Sequence, residues 1–341
     1  MKAHKILLTA EVDESNISEL KELGEITEAG WKTEMKKLGE DELIPLLRDK
    51  DIFITSYDNV TKKVIDSAPY LKLIACTRAN PVNIDVDAAK KKGIDVIYTP
   101  GRNSDSTAEF AVALILNIAR QIPFAYAAIK DGSITLDQPG PQKSDVTWSV
   151  VKGVSPYVKY KGVQLKNKNV GIVGYGSIGR RVANILRGFG MYVLVYDPYV
   201  PELEIDEPGR KKVDFDTLVR ESDFITCHIK DTPQTREMFT MKQFKMMKKT
   251  AYFINDSRGL VVNEKDLIEA LRTREIAGAA LDVFENEPLY KDHPFVSGEL
   301  DNIVVTPHIA GATVDSIVNH TQMIIGEVKR FVNGEPLLYK A

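Results

Sequence analysis

Val170-Gly171-Ile172-Val173-Gly174-Tyr175-Gly176-Ser177-Ile178-Gly179 decides how this chain is read. An apolar run, Asn169–Val173, leads into G-x-G-x-x-G at 174, 176 and 179. Ile178, Val182, Ile185, Leu186 and Phe189 then recur at helical spacing. Strand, glycine turn and amphipathic helix in this order form a dinucleotide-binding fingerprint. Gly174 permits the tight turn, Gly176 lets a pyrophosphate approach the backbone, and Gly179 allows close helix–strand packing. The free N–H groups of Ser177 and Ile178 would face phosphates at the helix N-terminus. The next apolar run, Tyr192–Tyr196, ends at Asp197, 18 residues past Gly179. That is near the spacing expected of a carboxylate on the adenosine ribose. Pro198 and Tyr199 follow without an adjacent cation. A carboxylate there repels a 2′-phosphate, so NAD is expected over NADP. A glycine-rich turn before an ordinary strand-end Asp is the plainer alternative, and a methyltransferase could use a similar turn.

Outward from this motif, short β-like runs alternate with helical patterns, as βαβ units require. Strands are expected at Lys5–Thr9, Asp51–Thr55, Leu71–Cys76 and Asp95–Tyr98 before the glycine cluster. After it come Phe224–His228, Tyr252–Asn255, Gly278–Val283 and Ile303–Thr306. Most are continuous Val/Ile/Leu-type runs, which suits parallel sheets buried on both faces. Phe110–Ala119 reads as a helix apolar nearly all round, buried between domains or in a subunit interface. The last helix carries Val314, Ile317, Val318, Ile324, Ile325, Val328 and Phe331, and stops at Asn333-Gly334. Positions 131–161 hold Gly132, Pro139-Gly140-Pro141, Gly153 and Pro156 with little periodicity, and read as a long irregular connection.

With 341 residues the chain has room for about two domains of roughly 150 residues. Composition is that of a globular protein, 43% hydrophobic and 27% charged. The net charge of -3, with acids and bases interspersed, argues against nucleic acid as a partner. Cys76 and Cys227 are the only cysteines, both in apolar runs, so no disulfide framework is expected. Neither CxxC nor HExxH occurs, and no metal site is expected. Ile6-Leu7-Leu8 is too short for a signal peptide, and Phe110–Ala119 is about half a membrane span. The expectation is a cytoplasmic protein with no membrane partner.

Three polar residues follow apolar runs in the C-terminal half. Arg258 comes after Tyr252–Asn255, Glu287 after the run ending at Val283, and His308 after Ile303–Thr306. Ligands of open parallel sheets bind beyond the carboxyl ends of strands, so these side chains could converge. Together they suit ketone reduction. His308 would protonate the nascent alkoxide, Glu287 would favour the charged imidazole, and Arg258 would grip a substrate carboxylate. Singly, each has a bland reading: His308 as a strand cap, Glu287 as a solvated turn acid, Arg258 as a surface cation. Spacing alone does not choose.

The chain resembles the D-isomer-specific 2-hydroxyacid dehydrogenase family over almost its whole length. The resemblance is carried by Asn80–Pro100, Gly171–Arg180, Tyr196-Asp197-Pro198, Asn255–Leu260, Leu281–Pro288 and Thr306–Ala312. It implies an α/β fold of two doubly wound, Rossmann-like domains, the cofactor domain inserted into the substrate domain, with the active site in the cleft between them. Substrate-domain residues would be 1–102 and 308–341, and the NAD-binding domain 103–307. It assigns catalysis to Arg258, Glu287 and His308. It adds Asp256, Ser257, Asp282 and Gly311 to the cofactor contacts. The substrate would be a small 2-oxo or 2-hydroxy acid and the assembly a homodimer.

Two departures bear on the substrate. The family's substrate loop reads Gly-x-Gly-x-Asp-Asn, whereas here Arg78-Ala79-Asn80-Pro81-Val82-Asn83 has no glycine. Its N–H groups are still expected to meet the substrate carboxylate, though Pro81 has none to give. Arg78 adds either a contact to a second anionic or hydroxylated end of the substrate or an ordinary surface charge. The family's His-x-Pro appears as His228-Ile229-Lys230, where Lys230 is either near the cofactor or solvated. The chain stops soon after its final helix, so feedback through an added C-terminal regulatory domain is not expected. A corepressor of the same fold would bind NADH and a protein partner, but such relatives tend to carry long disordered arms.

Overall fold

The computed structural model describes residues 4–137, 153 and 155–341. It divides into two compact units, 1–103 with 312–341, and 104–311. Positions 138–152 and 154 of the expected irregular connection lie outside the described residues.

The first unit holds β1 (His4–Leu8), β2 (Gly24–Glu28), β3 (Ile52–Thr55), β4 (Leu73–Cys76) and β5 (Asp95–Ile97). They form one all-parallel sheet in the order β2-β1-β3-β4-β5. β3 and β4 are buried along their whole length. One apolar layer gathers Leu7, Phe53, Ile74 and Val96 on one face, and another gathers Ile6, Ile54, Leu73 and Ile97 on the other. The helix Val314–Asn333 covers that second face with Ile324, Ile325 and Val328. It ends at Gly334, whose φ of 70° only glycine adopts freely.

The second unit holds β6 (Asn169–Val173), β7 (Tyr192–Tyr196), β8 (Arg210–Lys212), β9 (Phe224–Cys227), β10 (Tyr252–Asn255), β11 (Gly278–Leu281) and β12 (Ile303–Val305). Its order is β12-β11-β10-β9-β6-β7-β8, again all parallel. The strand order reverses between β6 and β9, which opens a crevice beyond their carboxyl ends. All ten sequence-derived strands are present, most of them one or two residues shorter. β2 and β8 were not expected. Both are edge strands, and neither carries a strongly apolar run: GEITE is half-exposed and RKK is charged.

The apolar helix is longer, Ser104–Ala119, and the second unit's own core accounts for its burial. Its Ala108, Ala111, Leu114, Ile115 and Ile118 pack with Ile172, Val182 and Ile254. The second unit ends at Gly311. The physical reason is that Asp282 of the second unit binds the backbone of Ile309 and Ala310. Among the described residues no single helix is long and apolar enough to cross a membrane.

Candidate active site

The glycine turn has the geometry its spacing implied. Gly174 has φ 93°, and a Cβ on it would lie 2.6 Å from the His228 carbonyl oxygen. A Cβ on Gly179 would lie 2.1 Å from the Gly174 oxygen. A Cβ on Gly176 would meet nothing within 4 Å, so open space lies in front of it. Gly176 caps the helix Ser177–Gly188 with no side-chain hydrogen bond, and no acid occupies its first turn. Ser177 is exposed there, and Ile178 turns toward the core. An open cradle before uncapped N–H groups fits a pyrophosphate.

Asp197 is 9% exposed. One carboxylate oxygen accepts the Tyr175 N–H at 2.8 Å, and the other accepts Tyr199 and Val200 N–H at 2.8 and 3.2 Å. The carboxylate thus ties the glycine turn to the end of β7. One acceptor site toward a ribose remains, since a carboxylate offers about four.

Arg258, Glu287 and His308 lie beyond the carboxyl ends of three neighbouring strands, β10, β11 and β12. All three are exposed. His308 Nδ1 is 2.6 Å from Glu287 Oε2, and Glu287 Oε1 accepts the Phe284 N–H at 3.1 Å. The pairing sets the tautomer: Nδ1 keeps its proton for the carboxylate. A cavity of about 510 Å³ opens beside the pair, lined by Phe284, Leu289, Val296 and Val305.

The His308 backbone is itself unusual, with φ 56° in the left-handed region. Such a conformation costs about 1–3 kcal/mol in a non-glycine residue and persists only where its surroundings enforce it. Asp282 enforces it. This carboxylate is fully buried and accepts Thr306 Oγ1 at 2.6 Å, Ile309 N–H at 2.9 Å and Ala310 N–H at 2.8 Å. Gly311 follows directly. The resemblance had offered Asp282 as a cofactor contact; its bonds here are to the histidine loop.

Arg258 is positioned by two features that sequence reading overlooked. Asn255, 1% exposed, accepts Ser257 N–H at 3.1 Å and Ser257 Oγ at 2.8 Å, and donates to the Arg258 carbonyl at 2.9 Å. A polar residue closing an otherwise apolar strand was the available signal. Gly259 lies so close to the next loop that a Cβ would fall 1.8 Å from the Phe284 oxygen. The arginine loop and the glutamate loop are therefore packed backbone to backbone.

Asp256 is placed differently from a ligand contact. Its side chain is fully buried, both oxygens lack a hydrogen-bond partner among the described residues, and His228 Nδ1 stands 3.5 Å away. Only its backbone is left to meet a cofactor. Burial pushes the Asp256 carboxyl well above its ordinary range and drives His228 down to about 3, so both favour neutral forms. Thr226 Oγ1 meets His228 Nε2 at 3.0 Å. Lys230 is exposed. Arg78, Ala79 and Asn80 follow β4 of the first unit, Arg78 half-buried and the other two exposed.

A family model described as "D-isomer specific 2-hydroxyacid dehydrogenase, NAD binding domain" matches residues 112–310. A glyoxylate reductase of Thermococcus litoralis is 38% identical over 333 residues, covering 97% of this chain and 94% of that one. The chain belongs to the D-isomer-specific 2-hydroxyacid dehydrogenase family. It is accordingly an oxidoreductase with an NAD-binding domain. A D-3-phosphoglycerate dehydrogenase of Methanocaldococcus jannaschii is 36% identical over 97% of this chain, which spans 58% of that longer protein. Among solved structures, the NAD complex of a D-isomer-specific 2-hydroxyacid dehydrogenase from Lactobacillus delbrueckii ssp. bulgaricus matches with TM-score 0.76 and 26% identity, covering 98% of each chain.

Two outcomes test this site's construction. Asp282→Ala removes the acceptor of three donors, each worth about 1–3 kcal/mol when left buried and unpaired. Urea unfolding is expected to show a loss of about 2–4 kcal/mol, partly restored in Asp282→Asn; unchanged stability would contradict the anchoring role. His228 supplies a pH signature. The unfolded chain protonates this imidazole near its ordinary value of 6.5, the folded one only near 3, so its contribution to stability is lost as pH falls through that window. Asp256 acts with the opposite sign, its fold preferring the protonated form. Comparison with His228→Gln isolates the imidazole: the variant's stability should fall less steeply below pH 6.5, and parallel curves would refute the assignment.

Proposed function

We propose that this protein interconverts a small 2-oxo acid and the corresponding D-2-hydroxy acid with NADH. The observation that carries the reading is the 2.6 Å His308–Glu287 pair, exposed at the carboxyl edge of an NAD-binding sheet. Bound nicotinamide would supply the hydride in reduction and accept it in oxidation. Glu287 stabilises the imidazolium of His308, whose Nε2–H gives its proton to the carbonyl oxygen as that oxygen gains charge. Arg258 holds the substrate carboxylate and polarises the carbonyl. In the reverse direction neutral Nε2 takes the hydroxyl proton. Ala79 and Asn80 offer backbone N–H groups to the substrate carboxylate.

Gly174, Gly176, Ser177, Ile178 and Gly179 would hold the pyrophosphate, Asp197 the ribose, and Ser257, Asp282 and Gly311 with the Asp256 backbone the nicotinamide end. The Asp197 carboxylate favours NAD over NADP by repelling a 2′-phosphate. Two buried free thiols suit a reducing compartment, so we place the reaction in the cytoplasm, with a homodimer as the working assembly.

His308→Ala should lower kcat/KM for 2-oxo acid reduction by at least about a hundredfold while NADH still binds. Wild-type turnover in that variant would remove the acid–base assignment. Asp197→Ala should weaken NADH and narrow its advantage over NADPH, measured by fluorescence titration of both. Unchanged affinities would remove the ribose contact.

A further inference from the structure

Glu287 lies in the long connection 282–302 between β11 and β12, and Glu285 to Pro288 are exposed. An exposed connection opens readily unless its backbone is tied down. Glu264 of the same unit ties it. This residue opens the helix Glu264–Arg272, whose N-cap Asn263 accepts the Asp266 N–H at 3.1 Å. Buried Leu267, Ala270 and Leu271 seat the helix on the sheet, and Asp266 accepts the Met241 N–H at 2.9 Å. Glu264 therefore projects from a fixed element.

Its two oxygens divide between the two limbs of the loop. Oε2 accepts the Glu285 N–H at 3.1 Å, two residues before Glu287. Oε1 meets His293 Nε2 at 3.0 Å, six residues after it. One carboxylate thus pins the chain on both sides of Glu287. His293 is 6% exposed, and its orientation is set separately. Nδ1 accepts the Phe295 N–H at 3.2 Å, so the ring proton sits on Nε2 and is donated to Glu264. The ring packs on Tyr290 at 5.1 Å and on Phe295 at 4.8 Å. The His293 carbonyl accepts Val296 and Ser297 N–H, both at 2.9 Å, which closes the far limb. Asn255, Gly259, Glu264 and Phe295 line one cavity of about 10 Å³, so the anchors of the arginine loop adjoin those of the glutamate loop.

A largely buried polar pair is weak evidence for stability, since apolar residues of similar volume often serve as well. Val262, Leu267, Leu281, Val283 and Phe295 line the same cavity, surroundings in which an apolar pair would pack. What hydrogen bonds add is direction. The 2.6 Å bond between Glu287 and His308 runs from this loop to the histidine loop, and reacting groups tolerate displacements of only about 0.5 Å. Asp282 holds the histidine side of that bond. Glu264 holds the glutamate side.

We infer that Glu264, oriented by His293, positions Glu287 against His308 and so sets the rate of proton transfer. The inference rests on the reading of the chain as a 2-oxo acid reductase, and it adds Glu264 and His293 as positioning residues for that reaction.

Glu264→Gln keeps the shape of the side chain but offers one oxygen to two donors. In steady-state reduction of glyoxylate, pyruvate or hydroxypyruvate it should lower kcat about tenfold or more, while KM for the 2-oxo acid changes less than about twofold. His293→Phe, which keeps a packed ring and removes the Nε2 donor, should show the same split. In a Glu287→Gln background, Glu264→Gln should lower kcat less than about twofold further, because its effect passes through Glu287. A merely stabilising residue would act alike in both backgrounds. Equal losses in the two backgrounds, or a loss carried by KM, would overturn the proposal. Hydrogen exchange read by mass spectrometry is independent of turnover. Glu264→Gln should speed exchange in peptides covering 284–296 about tenfold, while peptides from β9 and β10 keep their protection. Unchanged exchange at 284–296, or an equal rise in those strands, would overturn it as well. A wild type that reduces no 2-oxo acid would defeat the reaction assignment, and exchange at 284–296 would still decide whether Glu264 anchors the loop.

Discussion

The buried Asp282 carboxylate is the constraint on which the site depends. A buried polar group is costly unless it is hydrogen-bonded. Here a hydroxyl and two backbone N–H groups from the segment after β12 bond the carboxylate. Those bonds hold His308 in a left-handed backbone conformation that an L-residue resists. In that conformation its imidazole meets Glu287 and leaves Nε2 free. The loops of Arg258 and Glu287 join the same assembly, because Gly259 lets two backbones touch where any side chain would collide. The His308, Glu287 and Arg258 loops are thus fixed by Asp282 and by the close backbone approach at Gly259.

The other half of the second unit obeys a different constraint. Gly174 and Gly179 are required by the protein itself, since each would collide with backbone oxygen if it carried a Cβ. Gly176 is not; its neighbourhood is open. Asp197 bonds the turn at Tyr175 and presents a carboxylate at the end of β7.

Much of this was legible beforehand wherever a local pattern carries the physics. The parallel strands were readable as continuous apolar runs because both faces of each sheet are covered. β2 and β8 escaped because edge strands need no such run. The glycine triplet was readable because its spacing is a backbone requirement. Asn255 and Gly259 were passed over because their partners, the Arg258 carbonyl and the Phe284 carbonyl, are set by how neighbouring loops pack. Asp256 looked like a cofactor contact by its position beside Ser257 and Arg258. Its side chain instead turns inward against His228, a choice made by packing and invisible in residue order.

By itself, the order of residues determined the α/β class, the glycine cradle and its acidic companion, and offered Arg258, Glu287 and His308 as candidates beyond strand ends. These follow from short-range rules: side-chain periodicity, glycine's missing Cβ, and the chemistry each side chain can perform. Only the tertiary structure decided which side chains are partnered. It joined His308 to Glu287 across 21 residues and bent the histidine loop around Asp282. Hydrogen-bond partnership and burial depend on segments distant in sequence arriving at one place, and no local pattern encodes that arrival.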